Sequence, residues 1–145
     1  MTQLIADRRD IEFVLYEMLD IEGLCNHERF NEFNKRTINM MINEAFNLAI
    51  KEFLPANKEG DKTGCEFENG KVEIPDSYHR ALDLYTEGEW VQLADPGCPG
   101  VVGMITNALF FGACSSIMMY PGLSYGTGLL IKGIGGEDIA NRFSK

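Results

Sequence analysis

Apolar residues in the first half of the chain recur with the period of an amphipathic helix. The first group consists of Ile11, Val14, Leu15, Met18 and Leu19. Their i, i+3, i+4 and i+7 spacing places them on one helix face. Asp7 is suited to cap this helix and Gly23 to end it. The pattern predicts a helix on the outside of a bundle.

A longer apolar stripe follows, and its members are Ile38, Met41, Ile42, Ala45, Phe46, Ala49, Ile50 and Phe53. We expect Thr37 to cap this second helix. Pro55 is expected to end it, because proline has no backbone N–H to donate. The charged residues 57–64 then predict a loop.

Residues 65–74 predict a small β-hairpin. Asn69 and Gly70 supply the two positive φ angles that a two-residue turn needs. Phe67, Val72 and Ile74 would share an apolar face of the hairpin. Residues 75–77 then open another helix, which Gly88 ends.

The last third of the chain is the most apolar part. Residues 101–120 predict a helix that is apolar on more than one face, and such a helix must be buried on several sides. A Pro-Gly break at Pro121 and Gly122 would separate it from a glycine-rich apolar segment, residues 123–134. Gly136 would begin a last short helix. The sequence therefore predicts a mainly α-helical bundle with one small β-hairpin near residues 65–74.

The length and net charge of the chain exclude some classes of function. The 145 residues suit one domain, and a net charge of -9 argues against non-specific nucleic-acid binding. Charged residues at positions 7–10 interrupt any apolar run that could act as a secretory signal, so we expect a cytoplasmic protein. Polar and small residues also interrupt the apolar run after residue 101. We interpret that run as a buried helix rather than a membrane span.

No catalytic set emerges from the residue chemistry. The four cysteines form no C-x-x-C pair, and zinc-ligand spacing is absent. His27 and His79 lie in polar segments and are expected to be solvated. Cys114 lies in an apolar helix without a neighbouring histidine, which is typical of an inert core thiol. We therefore predict no catalytic, cofactor-binding or metal-binding residue within this chain.

Three segments, taken in order, resemble one branch of the acyl-CoA dehydrogenases. Residues 6–17 resemble the added N-terminal helix of that branch. Residues 64–90 resemble its Gly-Cys-x-Phe hairpin, the helix that follows, and a Tyr-x-Glu-Gly-x-Trp segment. Residues 120–126 and 135–138 are similar to the end of its helical N-terminal domain. The resemblance covers essentially the whole chain.

The resemblance implies a place within a larger flavoenzyme. Members of this family have an N-terminal α-helical domain, a middle β-barrel and a C-terminal helical bundle, with FAD between the last two parts. This chain would supply only the first part: residues 1–34 as extension helices packing on the domain, and residues 35–145 as the domain itself. The full-length protein would be a homo-oligomeric, FAD-dependent oxidoreductase of fatty acid metabolism that oxidises an acyl-CoA. The chain alone, a fragment or truncated relative, would be inactive and would not bind FAD.

The resemblance also implies one substrate-binding surface. In the family, the two apolar helices near the end of this domain form a wall of the acyl pocket. Carried onto this sequence, the positions are Ile117, Met118 and Pro121, with Cys114 as a further candidate. These residues would orient the acyl chain by shape, or they are ordinary core residues. The family's Pro-Glu-Glu-aromatic-Gly-Gly-x-Gly run stands here as residues 96–103 without its acidic and aromatic members.

Two other functions remain open at this point. The apolar residues 101–120 also suit a non-catalytic helical module that binds a partner protein through a hydrophobic surface. A helical protein that binds fatty acyl groups is the third possibility.

Overall fold

A computed structural model of the chain describes residues 5–94 and 96–143. The elements in chain order are α1 (Arg8–Glu12), a π-helical turn (Phe13–Met18), α2 (Ile21–Leu24), a 3-10 turn (Glu28–Phe30), α3 (Lys35–Leu48), a second π-helical turn (Ala49–Phe53), α4 (Leu54–Thr63), β1 (Glu66–Glu68), β2 (Lys71–Glu73), α5 (Asp76–Glu87), a 3-10 segment (Trp90–Ala94), α6 (Gly100–Ala113), α7 (Ser115–Ile134) and α8 (Gly136–Phe143). The predicted fold class, mainly α with one small hairpin, is confirmed.

The segment before α3 packs against that helix. Asp7 caps α1 as predicted, because its side chain accepts a hydrogen bond from the Arg9 backbone N–H at 2.8 Å. Tyr16 Oη donates to Asn39 Oδ1 at 2.7 Å. The Arg8 guanidinium lies 5.0 Å from the centre of the Phe46 ring. These contacts join the N-terminal helices to α3 through both polar and aromatic groups.

Helix α3 begins earlier than the sequence pattern suggests. Its N-cap is Asn34, whose Oδ1 accepts from the Thr37 backbone N–H at 3.1 Å. Thr37 Oγ1 in turn accepts from the Asn34 backbone N–H at 2.9 Å. The two residues form a reciprocal capping box. The prediction of Thr37 as the cap was therefore wrong by three residues, because Thr37 takes the partner role.

Removing this cap is expected to weaken the fold measurably. Asn34→Ala should lower the free energy of unfolding by about 1 kcal/mol, because the Thr37 N–H loses its acceptor at the helix end. The measurement is urea unfolding. Asn47→Ala is the matched control, since Asn47 is exposed within the same helix, and it should change stability by less than about 0.5 kcal/mol. Equal losses in the two variants would contradict the capping role.

Pro55 does not end this helix, contrary to the prediction. The chain passes from α3 through the π-helical turn directly into α4. The Leu54 N–H bonds to the Ala49 carbonyl, five residues back, so the hydrogen-bond register has already changed when the chain reaches Pro55. Pro55 then lies in the first turn of α4, where a missing N–H is tolerated. Residues 57–63, predicted as loop, are consequently helical, and the helix ends at Gly64 with φ of 66°.

The hairpin forms around the predicted turn. Asn69 and Gly70 have φ angles of 51° and 80°, and Phe67 lies opposite Val72 in the antiparallel pair. Ile74 lies outside the strands. Phe67 and Val72 are exposed rather than packed on the bundle, so the hairpin adds little to the core.

Four aromatic rings form the centre of the core. Phe110 of α6 lies between the others, with ring centroids 5.0 Å from Phe53, 5.2 Å from Tyr85 and 5.2 Å from Trp90. Tyr85 and Trp90 meet Phe110 edge-on, an arrangement that aromatic pairs prefer. One face of α6 packs against α3, the second π-helical turn and the 3-10 segment. The opposite face exposes Met104, so the predicted burial on several sides holds only in part.

The apolar region breaks at Cys114 rather than at Pro121 and Gly122. Cys114 has extended backbone angles, φ −156° and ψ 91°, and separates α6 from α7. Its N–H still bonds to the Phe110 carbonyl at 2.9 Å, and its carbonyl accepts from Met118 N at 3.3 Å. Cys114 thus makes a backbone hydrogen bond to each of the two helices, and α7 continues through Pro121. Among the described residues, no helix has the length and apolar character needed to cross a membrane.

Candidate functional site

The four predicted substrate-binding residues all lie at the start of α7 or in the break before it. Cys114, Ile117 and Met118 are buried, whereas Pro121 is half-buried. Met118 and Pro121 lie one turn apart on the helix, as i and i+3 neighbours do. The structure therefore places these two side by side at the edge of the core.

Met118 and Pro121 line a small open cleft of about 130 Å³ between α5, α6 and α7. The other residues that line it are Tyr85, Val91, Asn107, Phe111, Gly122 and Tyr125. Ile117 and Cys114 are not among the lining residues, and a contact of theirs with substrate remains a prediction. A cavity of about 150 Å³ holds a benzene-sized group, whereas sites for whole small-molecule ligands span about 300–1,000 Å³. The cleft is therefore large enough for part of a small-molecule ligand but not for a whole one.

Two polar side chains lie at one side of this apolar cleft. Tyr85 Oη donates to Asn107 Oδ1 at 3.4 Å, a long hydrogen bond. Burial raises the pKa of Tyr85 above its ordinary value, so its hydroxyl stays protonated at neutral pH. Among the residues that the structure describes, no carboxylate or histidine lines the cleft. The arrangement can therefore orient an apolar group but offers no general base.

Sequence reasoning did not identify Tyr85 or Asn107 as site residues. Tyr85 lies in the helix predicted between residues 75 and 88, and Asn107 is one of the polar residues that interrupt the apolar run after residue 101. That interruption was the available signal, because an amide in an otherwise apolar helix needs a polar partner. The partner lies 22 residues away on another helix, so only the tertiary structure reveals it.

A large uncovered apolar surface adjoins the cleft. We call it the distal α7 surface, and its residues are Met119, Tyr120, Leu123, Leu129, Leu130 and Ile134. Each is at least half exposed, and Ile134 is 83% exposed. Lys132 is the one charged residue within α7. Monomeric proteins rarely expose contiguous apolar surface of this kind, which usually marks an interaction site.

A larger cleft lies beside α2 and the start of α3. It is open and polar, with a volume of about 680 Å³, and Lys35 forms an ion pair with Glu22 at 3.1 Å on its rim. His27 and His79 are exposed. Within residues 5–94 and 96–143, no group of three histidine, cysteine or acidic side chains could hold a metal ion.

Comparison with known proteins gives one informative similarity. The chain is 25% identical over 127 residues to 3-methylmercaptopropionyl-CoA dehydrogenase of Ruegeria pomeroyi (strain ATCC 700808 / DSM 15171 / DSS-3). The similar region covers 83% of this chain and 22% of that enzyme, so the chain spans about a fifth of its relative's length. No protein-family model matches the chain. The chain is therefore similar, over most of its own length, to one portion of an acyl-CoA dehydrogenase.

Proposed function

We propose that this chain acts as the N-terminal α-helical domain of an FAD-dependent acyl-CoA dehydrogenase. Residues 1–34 would be an extension packed on a domain formed by residues 35–145. The order of the three resembling segments and the similarity to an acyl-CoA dehydrogenase support this proposal. The observation that carries it is the distal α7 surface, which adjoins the cleft at Met118 and Pro121 and is left uncovered by the residues that the structure describes.

The uncovered surface has the character expected of a buried domain face. Its six large side chains expose at least half of their surfaces, and large side chains offer on the order of 150–200 Å² each. The exposed apolar area is then roughly 600 Å², at the upper end of what monomers carry. We propose that the remaining domains of the enzyme cover this face and close the cleft into a full acyl pocket.

The chain's role in the reaction would be to shape the acyl pocket. Oxidation of an acyl-CoA between its α and β carbons requires a base for the α proton and an acceptor for the hydride. The cleft offers neither, and its volume of about 130 Å³ is too small for a dinucleotide. FAD therefore does not fit this cleft, and we place flavin and base in the other domains. Met118 and Pro121 would hold the acyl chain in position for that chemistry.

Enlarging the side chain at Met118 tests this role. In the intact enzyme, Met118→Trp is expected to shift preference toward shorter acyl groups, because the larger ring fills space in the cleft. The measurement is kcat/KM across a series of straight-chain acyl-CoA substrates, together with the melting temperature. Met104→Trp is the control, since Met104 is 74% exposed on α6. A loss of stability in Met118→Trp with unchanged chain-length preference would indicate an ordinary core residue instead.

The distal α7 surface equally favours a second candidate, a non-catalytic helical module that binds a partner protein or an acyl group. The two functions differ in what covers the surface. An antibody against the chain, used on an extract of the source cells, would show the size of the native protein that carries it. A protein several times larger than 16.3 kDa is expected for a domain of the flavoenzyme. A protein of 16.3 kDa would overturn that proposal and favour the binding module.

A further inference from the structure

The hydroxyl of Tyr78 lies where α4, α5 and α7 meet. Tyr78 Oη is 2.9 Å from Ser116 Oγ, in the first turn of α7. Ser116 Oγ is in turn 3.3 Å from Cys114 Sγ, at the break between α6 and α7. This chain of polar contacts joins α5 to the residues at which the apolar region changes direction.

Helix α4 contributes a glycine, Gly60, to the place where α4, α5 and α7 meet. A Cβ atom at Gly60 of α4 would overlap both the hydroxyl and the ring of Tyr78. Gly60 has no such atom, so the tyrosine ring packs directly on the α4 backbone. The Tyr78 ring is thereby held against α4, while its hydroxyl contacts Ser116.

The hydroxyl is uncharged at neutral pH. The hydrogen bond with Ser116 lowers the pKa of Tyr78, but burial and the neighbouring Cys114 thiol raise it, and the net result lies above the ordinary value. A neutral phenol can both donate and accept a hydrogen bond. The contact with Ser116 is therefore preserved over the physiological pH range.

The side chains that α7 buries lie near its start. Within this fully described helix, Ile117 and Met118 are the buried side chains, and everything beyond Pro121 is half-buried or exposed. The buried attachment of this 20-residue helix therefore lies in its first turn, although Tyr125 farther along also lines the cleft. A small rotation there would move the distal residues through several ångströms, because the helix is about 30 Å long.

We infer that Tyr78 is a positioning residue, which fixes the orientation of α7 through Ser116 and so sets the place of Met118 and Pro121 in the cleft. The consequence for acyl binding rests on the proposed function above. The mechanical part of the inference does not, because it concerns contacts within this chain alone.

The mechanical part is tested on the 145-residue chain by local exposure of α7. Tyr78→Phe keeps the ring and removes the hydroxyl, and Ser116→Ala removes the other partner. Each variant should accelerate labelling of Cys114 by iodoacetamide about fivefold, the factor for one hydrogen bond. Amide hydrogen exchange in residues 115–120 should rise by a similar factor. Peptide mass spectrometry separates Cys114 from the other three cysteines.

Controls distinguish a local effect from general loss of stability. Tyr16→Phe removes a hydrogen bond of 2.7 Å to Asn39 and should leave Cys114 labelling unchanged. Gly60→Ala should displace the Tyr78 ring and accelerate labelling as Tyr78→Phe does. Unchanged labelling and exchange in Tyr78→Phe and Ser116→Ala would overturn the inference. So would equal acceleration in every helix, which would indicate global destabilisation.

The intact enzyme provides the functional readout. Tyr78→Phe should raise KM for a straight-chain acyl-CoA several-fold and change kcat little, since the residue touches no reacting atom. Tyr16→Phe should change neither constant. An unchanged KM in Tyr78→Phe would overturn the link to acyl binding. A native protein without acyl-CoA oxidation would defeat the proposed function alone, because the labelling test needs no substrate.

Discussion

Phe110→Ala is expected to lower the free energy of unfolding by about 3–5 kcal/mol. Phe110 is fully buried, and its ring contacts Phe53, Tyr85 and Trp90 at the centre of the core. Removing the ring takes away its transfer free energy and leaves a cavity between three rigid aromatic neighbours that cannot collapse into it. Because a domain of this size is stable by about 5–15 kcal/mol, the variant should lose a large fraction of its stability.

Phe67→Ala provides the matched comparison. Phe67 is 72% exposed on the hairpin, so the same chemical change should alter stability by only about 0.5 kcal/mol. Urea unfolding followed by circular dichroism measures both variants. Similar losses at the two positions would show that the aromatic cluster is not the centre of the fold.

Gly103→Ala is expected to have the second largest effect. A Cβ at Gly103 of α6 would overlap the backbone carbonyl oxygen of Leu93. A flexible side chain could move aside, but a backbone carbonyl moves only with its whole segment. The close packing of α6 on the 3-10 segment therefore requires glycine here. We expect a loss of about 1–3 kcal/mol, as for other overpacked cores.

Gly112 lies on the same helix, and Gly112→Ala should raise stability rather than lower it. Its added Cβ meets no atom within 4 Å. Alanine is also the better helix former, by up to about 1 kcal/mol. The melting temperature should thus fall for Gly103→Ala and rise for Gly112→Ala. A rise in both variants would mean that α6 does not approach Leu93 as closely as the structure shows.

Local sequence patterns predicted the elements whose form depends on neighbouring residues. The α3 stripe is one case, since Ile38, Ile42 and Phe46 are buried as their spacing requires. The hairpin is another, because the Asn69–Gly70 pair determines its own turn geometry. Both features follow from a few consecutive residues, so they could be read without the rest of the fold.

Pro55 and Pro121 were predicted to end helices, and both predictions were wrong. The outcome depends on the hydrogen-bond pattern of the backbone around each proline, which the sequence alone does not reveal. A π-helical turn before Pro55 changes the hydrogen-bond register, so the helix continues. In the last third of the chain, extended backbone at Cys114 makes the break seven residues before Pro121. Proline excludes one N–H donor but does not by itself specify where a helix must end.

The cleft was only partly predictable. Met118 and Pro121 came from the family resemblance, and they are neighbours on one helix. Tyr85 and Asn107 join them from α5 and α6, and no local pattern relates those positions. The sequence also predicted that the last apolar helices would be buried on several sides, whereas α6 exposes Met104 and Phe111 and the distal α7 surface is open. That difference is the physical reason for proposing further domains.

The most direct test is whether the native protein that carries this chain is a flavoenzyme reduced by acyl-CoA. The protein would be isolated from its source cells with an antibody against the chain, without denaturation. Its flavin absorbance would then be followed under anaerobic conditions as short-, medium- and long-chain acyl-CoA substrates are added. We expect bound FAD that at least one of these substrates reduces. A protein without flavin, or a flavin that none of them reduces, would contradict the proposed function.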